Sequence, residues 1–115
     1  MVTGLLNGYD EGGWMPKWPN PGYTNCMMGT HSDAIIADAY VKGVRGFDEQ
    51  KAARAMLKNA NVKGNHIAWG RLGIEDYNSL GYVPVDHYRE SVARTMEFAY
   101  DDWCPVSYTH LTLPT

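Results

Sequence analysis

The chain is poor in cysteine, in basic charge and in long apolar runs, and each shortage excludes something. Its 2 Cys, Cys26 and Cys104, have no close spacing and no His at metal-ligand distance. A zinc finger or a CxxC redox pair is thereby excluded, which leaves either one disulfide or two buried thiols. Lys and Arg number 10 against 13 Asp and Glu, for a formal net charge of −3. That balance supplies no basic patch of the kind that grips nucleic acid, so no nucleic-acid partner is expected. No apolar run is long enough to cross a bilayer, which takes about 20 residues. Val2 to Tyr9 carries neither a basic leader nor a long apolar core, so no signal peptide is expected within the chain.

Aromatic residues, glycine and proline are plentiful. Four Trp and 8 Tyr stand in 115 residues, enough chain for one small domain. Flat aromatic faces stack on sugar rings, and they also fill cores. Gly12, Gly13, Pro16, Pro19, Pro21 and Gly22 forbid regular structure up to about Thr24. This loop carries Trp14 and Trp18, which either pin it to the surface or present a binding face.

Elsewhere the pattern is helical. A first helix ends near Tyr9, with Leu5 and Leu6 as its apolar residues. A second runs over Ser32–Lys42, capped by Ser32 or Asp33 and ended by Gly43 or Gly46. Its Ala34-Ile35-Ile36-Ala37 run predicts burial on most sides, and Asp38 and Lys42 form an i,i+4 pair. Asp48 caps a third helix to about Asn61, whose inner stripe is Ala52, Ala55, Met56 and Ala60. A loop from Gly64 to Gly73 leads to a short turn of helix near Glu75 to Ser79. Asp86 is expected to cap the last helix. There Val92, Met96, Ala99 and Trp103 repeat at the helical period and should face inward, with Glu90 and Arg94 on the outer side. No strand pattern competes. The fold class is all-α: antiparallel helices joined by long Gly- and Pro-rich loops.

The last residues differ in kind. Pro105 is expected to stop the helix. Val106 to Thr115 shows no cap, no helical period and no packing partner. It matches, residue for residue, the translation of a transposon end and adapter used in sequencing libraries. Residues 105–115 are therefore set aside as a non-native tail, and His110 is not offered as a ligand.

Three stretches resemble glycoside hydrolase family 92. The first runs from Gly13-Trp14-Met15-Pro16-Lys17-Trp18 through Thr24-Asn25-Cys26-Met27-Met28-Gly29-Thr30-His31-Ser32-Asp33 to Ile36-Ala37-Asp38-Ala39-Tyr40. The second is Gly81-Tyr82-Val83-Pro84 with Glu90-Ser91-Val92-Ala93. The third is Glu97-Phe98-Ala99-Tyr100-Asp101-Asp102-Trp103-Cys104. They follow the family's order and rough spacing, and cover nearly all of residues 1–104. The resemblance implies a calcium-dependent, inverting exo-α-mannosidase acting on mannose-containing glycans, with a β-sandwich followed by an (α/α)6 barrel; an N-glycan-releasing amidase-like relative and a non-catalytic sugar-binding protein are the alternative readings. Residues 1–104 would then be a few helices of that barrel, too short to work alone. The resemblance also implies a secreted or periplasmic parent protein.

The implied site residues follow. Many family members have a Glu directly before the Thr of the Thr-Asn-Cys-Met-Met-Gly segment as general acid. Here that position is Tyr23, whose ordinary pKa near 10 makes it a poor proton donor. Glu90 matches a Glu at the family's sugar site and is the best substrate contact, its alternative being a helix-dipole carboxylate. Trp18 and His31 are further substrate-binding candidates. Asp33, Asp101, Asp102 and Trp103 are read as structural: Asp33 as a cap, the Asp101–Asp102 pair as buried carboxylates bonded to neighbouring loops. The general base and most Ca²⁺ ligands are expected beyond this stretch of sequence.

Overall fold

The computed structural model describes residues 1–17 and 27–112, with side chains to residue 110. Five helices follow one another: α1 (Val2–Gly12), α2 (Ser32–Val41), α3 (Glu49–Asn61), α4 (Ile74–Leu80) and α5 (Ser91–Thr112). Among the described residues there is no strand.

Local chemistry shapes the first three. α1 closes on Gly13 in the left-handed region (φ 82°), whose N–H returns to the Tyr9 carbonyl at 2.7 Å. The Asp48 carboxylate accepts from the Lys51 N–H at 3.0 Å and so caps α3. Ala52, Ala55 and Met56 are buried along α3 as the stripe predicts, and Asn59 joins them. α2 keeps its Asp38–Lys42 pair at 3.0 Å. It has no side-chain cap hydrogen bond, so Asp33 is not the cap that the sequence suggested.

The core lies between α1, α2 and α3 and is sealed by the end of α5. Val2, Leu6, Met15, Ile36, Ala52, Ala55, Met56 and Tyr108 make one buried cluster. Ile35 escapes it at 40 % exposure, so α2 is less enclosed than its apolar run implies. Trp14 is also buried, with the Lys58 ammonium 4.3 Å from its ring. Gly70 makes room for that ring, because a Cβ there would lie 2.9 Å from Trp14 Cζ3. Trp14 is thus a structural pin.

α5 departs most from expectation. Asp86 is exposed in a turn before the helix, which begins only at Ser91. Pro105 does not stop it: the helix continues to Thr112, with Pro105 buried inside. Nor is the tail without a partner. Tyr108 is fully buried, its ring 5.0 Å from that of Tyr40, and its hydroxyl donates to the Glu49 carbonyl at 2.8 Å. These contacts reward a helix that Pro105 alone would break. The rotation of α5 also differs from the predicted one. Val92, Met96 and Trp103 point outward at 71 %, 68 % and 62 % exposure, while Arg94, Phe98, Asp101, Cys104 and Tyr108 form the buried line. Arg94 is accordingly inside, not on the outer side. Cys104 is a buried free thiol, and Cys26, its partner in the disulfide alternative, lies outside the described residues.

The whole is a slab of 43 × 35 × 19 Å, about two helix diameters thick.

Candidate functional site

The buried face of α5 meets the start of α2 and the 64–73 loop in a polar cluster. Its centre is Arg71, a fully buried guanidinium just after Gly70. Nε donates to Thr30 Oγ1 at 3.0 Å, one terminal nitrogen donates to Asp33 Oδ2 at 3.2 Å, and the other to Asp102 Oδ1. A planar fork with several donors suits this three-way contact in a way that no lysine could. Asp33 also accepts from the Asn59 amide at 3.0 Å and from the Thr30 hydroxyl at 2.9 Å. Burial pushes the Asp33 carboxyl up to about 7, against the opposing pull of Arg71, Asn59 and Thr30.

Asp101 sits beside this cluster with no exposed surface. Oδ2 accepts from the Thr30 N–H at 2.6 Å, and Oδ1 meets His31 Nδ1 at 2.9 Å. Burial raises its pKa, and the Thr30 N–H, His31 and Arg71 work against that rise. Gly29 (φ 78°) lets Asp101 come this close: a Cβ there would stand 2.5 Å from Asp101 Oδ2. The other nitrogen of His31, Nε2, faces Glu97 Oε2 at 3.3 Å, and both side chains are about two-fifths exposed.

Glu90 is exposed and stands in the left-handed region at φ 56°, the only non-glycine residue at positive φ among the described residues. Its carbonyl accepts from the Arg94 N–H at 2.9 Å, and Arg94 Nε donates to the Arg89 carbonyl at 2.9 Å. A non-glycine residue held in this region costs of order 1 kcal/mol or more, and such residues concentrate at ligand sites. Glu90 is therefore held by its backbone and by Arg94, with no helical turn before it.

The candidate residues are thus distributed in a definite way. His31, Asp33, Asp101 and Asp102 come together around Arg71 and Thr30. Glu90 directly precedes α5, four residues before Arg94. Trp103 is exposed on the opposite face of that helix and takes no part. Trp18 and Tyr23 lie outside the described residues. Sequence reasoning missed Arg71, Asn59 and Glu97. The one available signal was Arg71 lying between two glycines, Gly70 and Gly73, both of positive φ. Among the described residues no group of three His, Cys, Asp or Glu side chains is placed to hold a metal ion. The carboxylates that gather here are engaged by Arg71, His31 and Thr30, so they do not fit a hard cation that needs six or more oxygens.

Comparison with known proteins agrees with this architecture. The profile of the glycosyl hydrolase family 92 catalytic domain matches residues 1–110. An uncharacterized secreted glycosidase of Arthroderma benhamiae is 34 % identical over 113 residues, a match that covers 87 % of this chain and 14 % of that protein. The solved structure of the family GH92 inverting mannosidase BT2199 from Bacteroides thetaiotaomicron superposes with a TM-score of 0.91 at 38 % identity. That match covers 96 % of this chain and 15 % of the mannosidase. The chain thus spans about one seventh of the length of the relatives it matches. With the catalytic-domain profile matching residues 1–110 of its 115, the chain belongs to glycosyl hydrolase family 92.

Proposed function

We propose that the full-length protein carrying this chain is an exo-acting α-mannosidase that removes terminal α-linked mannose from N-glycans or mannan by inverting hydrolysis. The likeness to an inverting mannosidase, at 38 % identity over 96 % of the chain, carries this reading. Inversion takes one carboxylic acid to protonate the leaving oxygen and one carboxylate to activate water, about 6.5–9.5 Å apart. In this reading the chain supplies part of the sugar-facing wall. Glu90 contacts the sugar from its strained backbone position. Trp18 stacks on the ring, and the Arg71 cluster fixes the start of α2 behind the site. The water-activating carboxylate and most of the Ca²⁺ ligands belong to the rest of the protein. The parent is secreted or periplasmic, and the 115 residues alone are inactive.

One residue favours a second reading. Tyr23 stands where many family members have the acid, and a phenol gives up its proton poorly near neutral pH. A sugar-binding protein without turnover would tolerate that exchange. Assay of the full-length protein on aryl α-mannosides, with and without a chelator, separates the two. Release of mannose that stops on chelation supports the hydrolase, and mannoside binding without release supports the binding protein.

A further inference from the structure

The Asp101–His31–Glu97 row has a direction. Asp101 is fully buried and uses both oxygens, one on the Thr30 N–H at 2.6 Å and one on His31 Nδ1 at 2.9 Å. A carboxylate only accepts, so Nδ1 carries the hydrogen and the ring is fixed with Nε2 pointing away from the protein interior. Nε2 then meets Glu97 at 3.3 Å. A charge-assisted contact of full strength measures about 2.7–2.9 Å, so the outer contact is the weaker and replaceable one. His31 is held from the inside by a short bond and is only loosely engaged on the outside. The Tyr100 ring, 6.1 Å away, is the other neighbour that α5 presents to it.

We propose that His31 Nε2 contacts a hydroxyl of the glycan in place of Glu97, and that Asp101 is the positioning residue that aims it. This rests on the glycan-processing reading above. A ring merely tying α2 to α5 would have no need of an outward nitrogen at two-fifths exposure, and a glutamine would serve that purpose equally well. The distinction sets the test.

In the full-length protein, His31→Gln keeps a donor for Asp101 but removes the outward nitrogen. It is expected to raise KM for an aryl α-mannoside about tenfold, the loss of one hydrogen bond, with kcat changed less than threefold. Asp101→Asn turns an N–H₂ toward Nδ1, which must then accept, leaving the ring hydrogen on Nε2. Nitrogen-15 shifts of the His31 ring should then show Nδ1 protonated in the wild type and unprotonated in the variant, with KM raised. An unchanged KM in His31→Gln, at an unchanged melting temperature, overturns the sugar contact. Nδ1 reading unprotonated in the wild type overturns the positioning role, and this measurement needs no activity. If the wild type neither binds nor cleaves mannosides, the proposed function falls and takes the sugar contact with it, while the ring shifts still decide whether Asp101 aims His31.

Discussion

Arg71 is a charge with no route to water. Its partners Thr30 and Asp33 lie at the start of α2 and Asp102 lies in α5, so one side chain ties the start of α2, the 64–73 loop and α5 together. Replacing it with methionine leaves Asp33 buried beside no cation. Arg71→Met is expected to cost about 3–5 kcal/mol in urea unfolding, and a triple variant adding Asp33→Asn and Asp102→Asn should recover much of that loss. A single variant as stable as the wild type would show the cluster to be dispensable. Asp33 also sets a pH dependence. Its folded pKa of about 7 lies above the unfolded value near 3.9, so the folded chain keeps a proton that the unfolded chain has lost. That contribution is fully present below about pH 4 and fades as pH rises to about 7. Asp101, also raised, acts in the same direction. The melting temperature should therefore fall between pH 4.5 and 7.5, with a shallower slope in Asp33→Asn. A flat profile in the wild type would contradict the assignment.

At the scale of elements, α3 and α5 explain what the sequence could reveal. α3 is governed by local rules: Asp48 accepts from an N–H three residues on, and Ala52, Ala55 and Met56 face the same core wherever the chain ends. Asp48→Ala should cost about 1 kcal/mol, read as a fall in the urea midpoint with an unchanged slope. α5 obeys a longer-range logic. Its most apolar face, Val92, Met96 and Trp103, has no partner among the described residues, so a reading by hydrophobic period turned the helix the wrong way. The face that is buried holds Arg94 and Asp101, which no rule of hydrophobicity selects. The sites show the same division. The motifs made His31, Asp33, Asp101 and Asp102 visible, because adjacent residues of unusual type carry a family resemblance. Arg71 stayed hidden because an arginine in a glycine-rich loop looks solvated until α2 and α5 close over it. Pro105 shows how tertiary contact overrides a local signal: the seat of Tyr108 against Tyr40 and Glu49 holds the helix beyond it. Tyr108→Ala is expected to cost about 3–5 kcal/mol, and Tyr108→Phe only about 1 kcal/mol for the lost hydrogen bond. The origin of residues 105–115 is a separate matter, which sequencing the parent locus decides.

For the molecule as a whole, the outward row of α5 is the dominant surface feature. Val92, Met96, Tyr100, Trp103 and Val106 are each more than half exposed along one helix face, and Tyr82 and Val85 extend that face. Contiguous apolar surface of this kind signals a missing partner and promotes association. The 115-residue chain alone should bind a hydrophobic dye and sediment as mixed oligomers. Met96→Glu with Trp103→Glu should shift it toward monomer without lowering its helix content. A wild-type chain that sediments as one monomeric species and leaves the dye dark would refute this.

The 19 Å thickness of the slab has its own consequence. Among the described residues no backbone amide sits deeper than about one helix diameter from bulk solvent. Slow deuterium uptake should accordingly be confined to a narrow seam, the α3 stripe and the middle of α5 around Phe98 and Asp101. The amides of α1 and α4 should exchange within the fast, locally opening population.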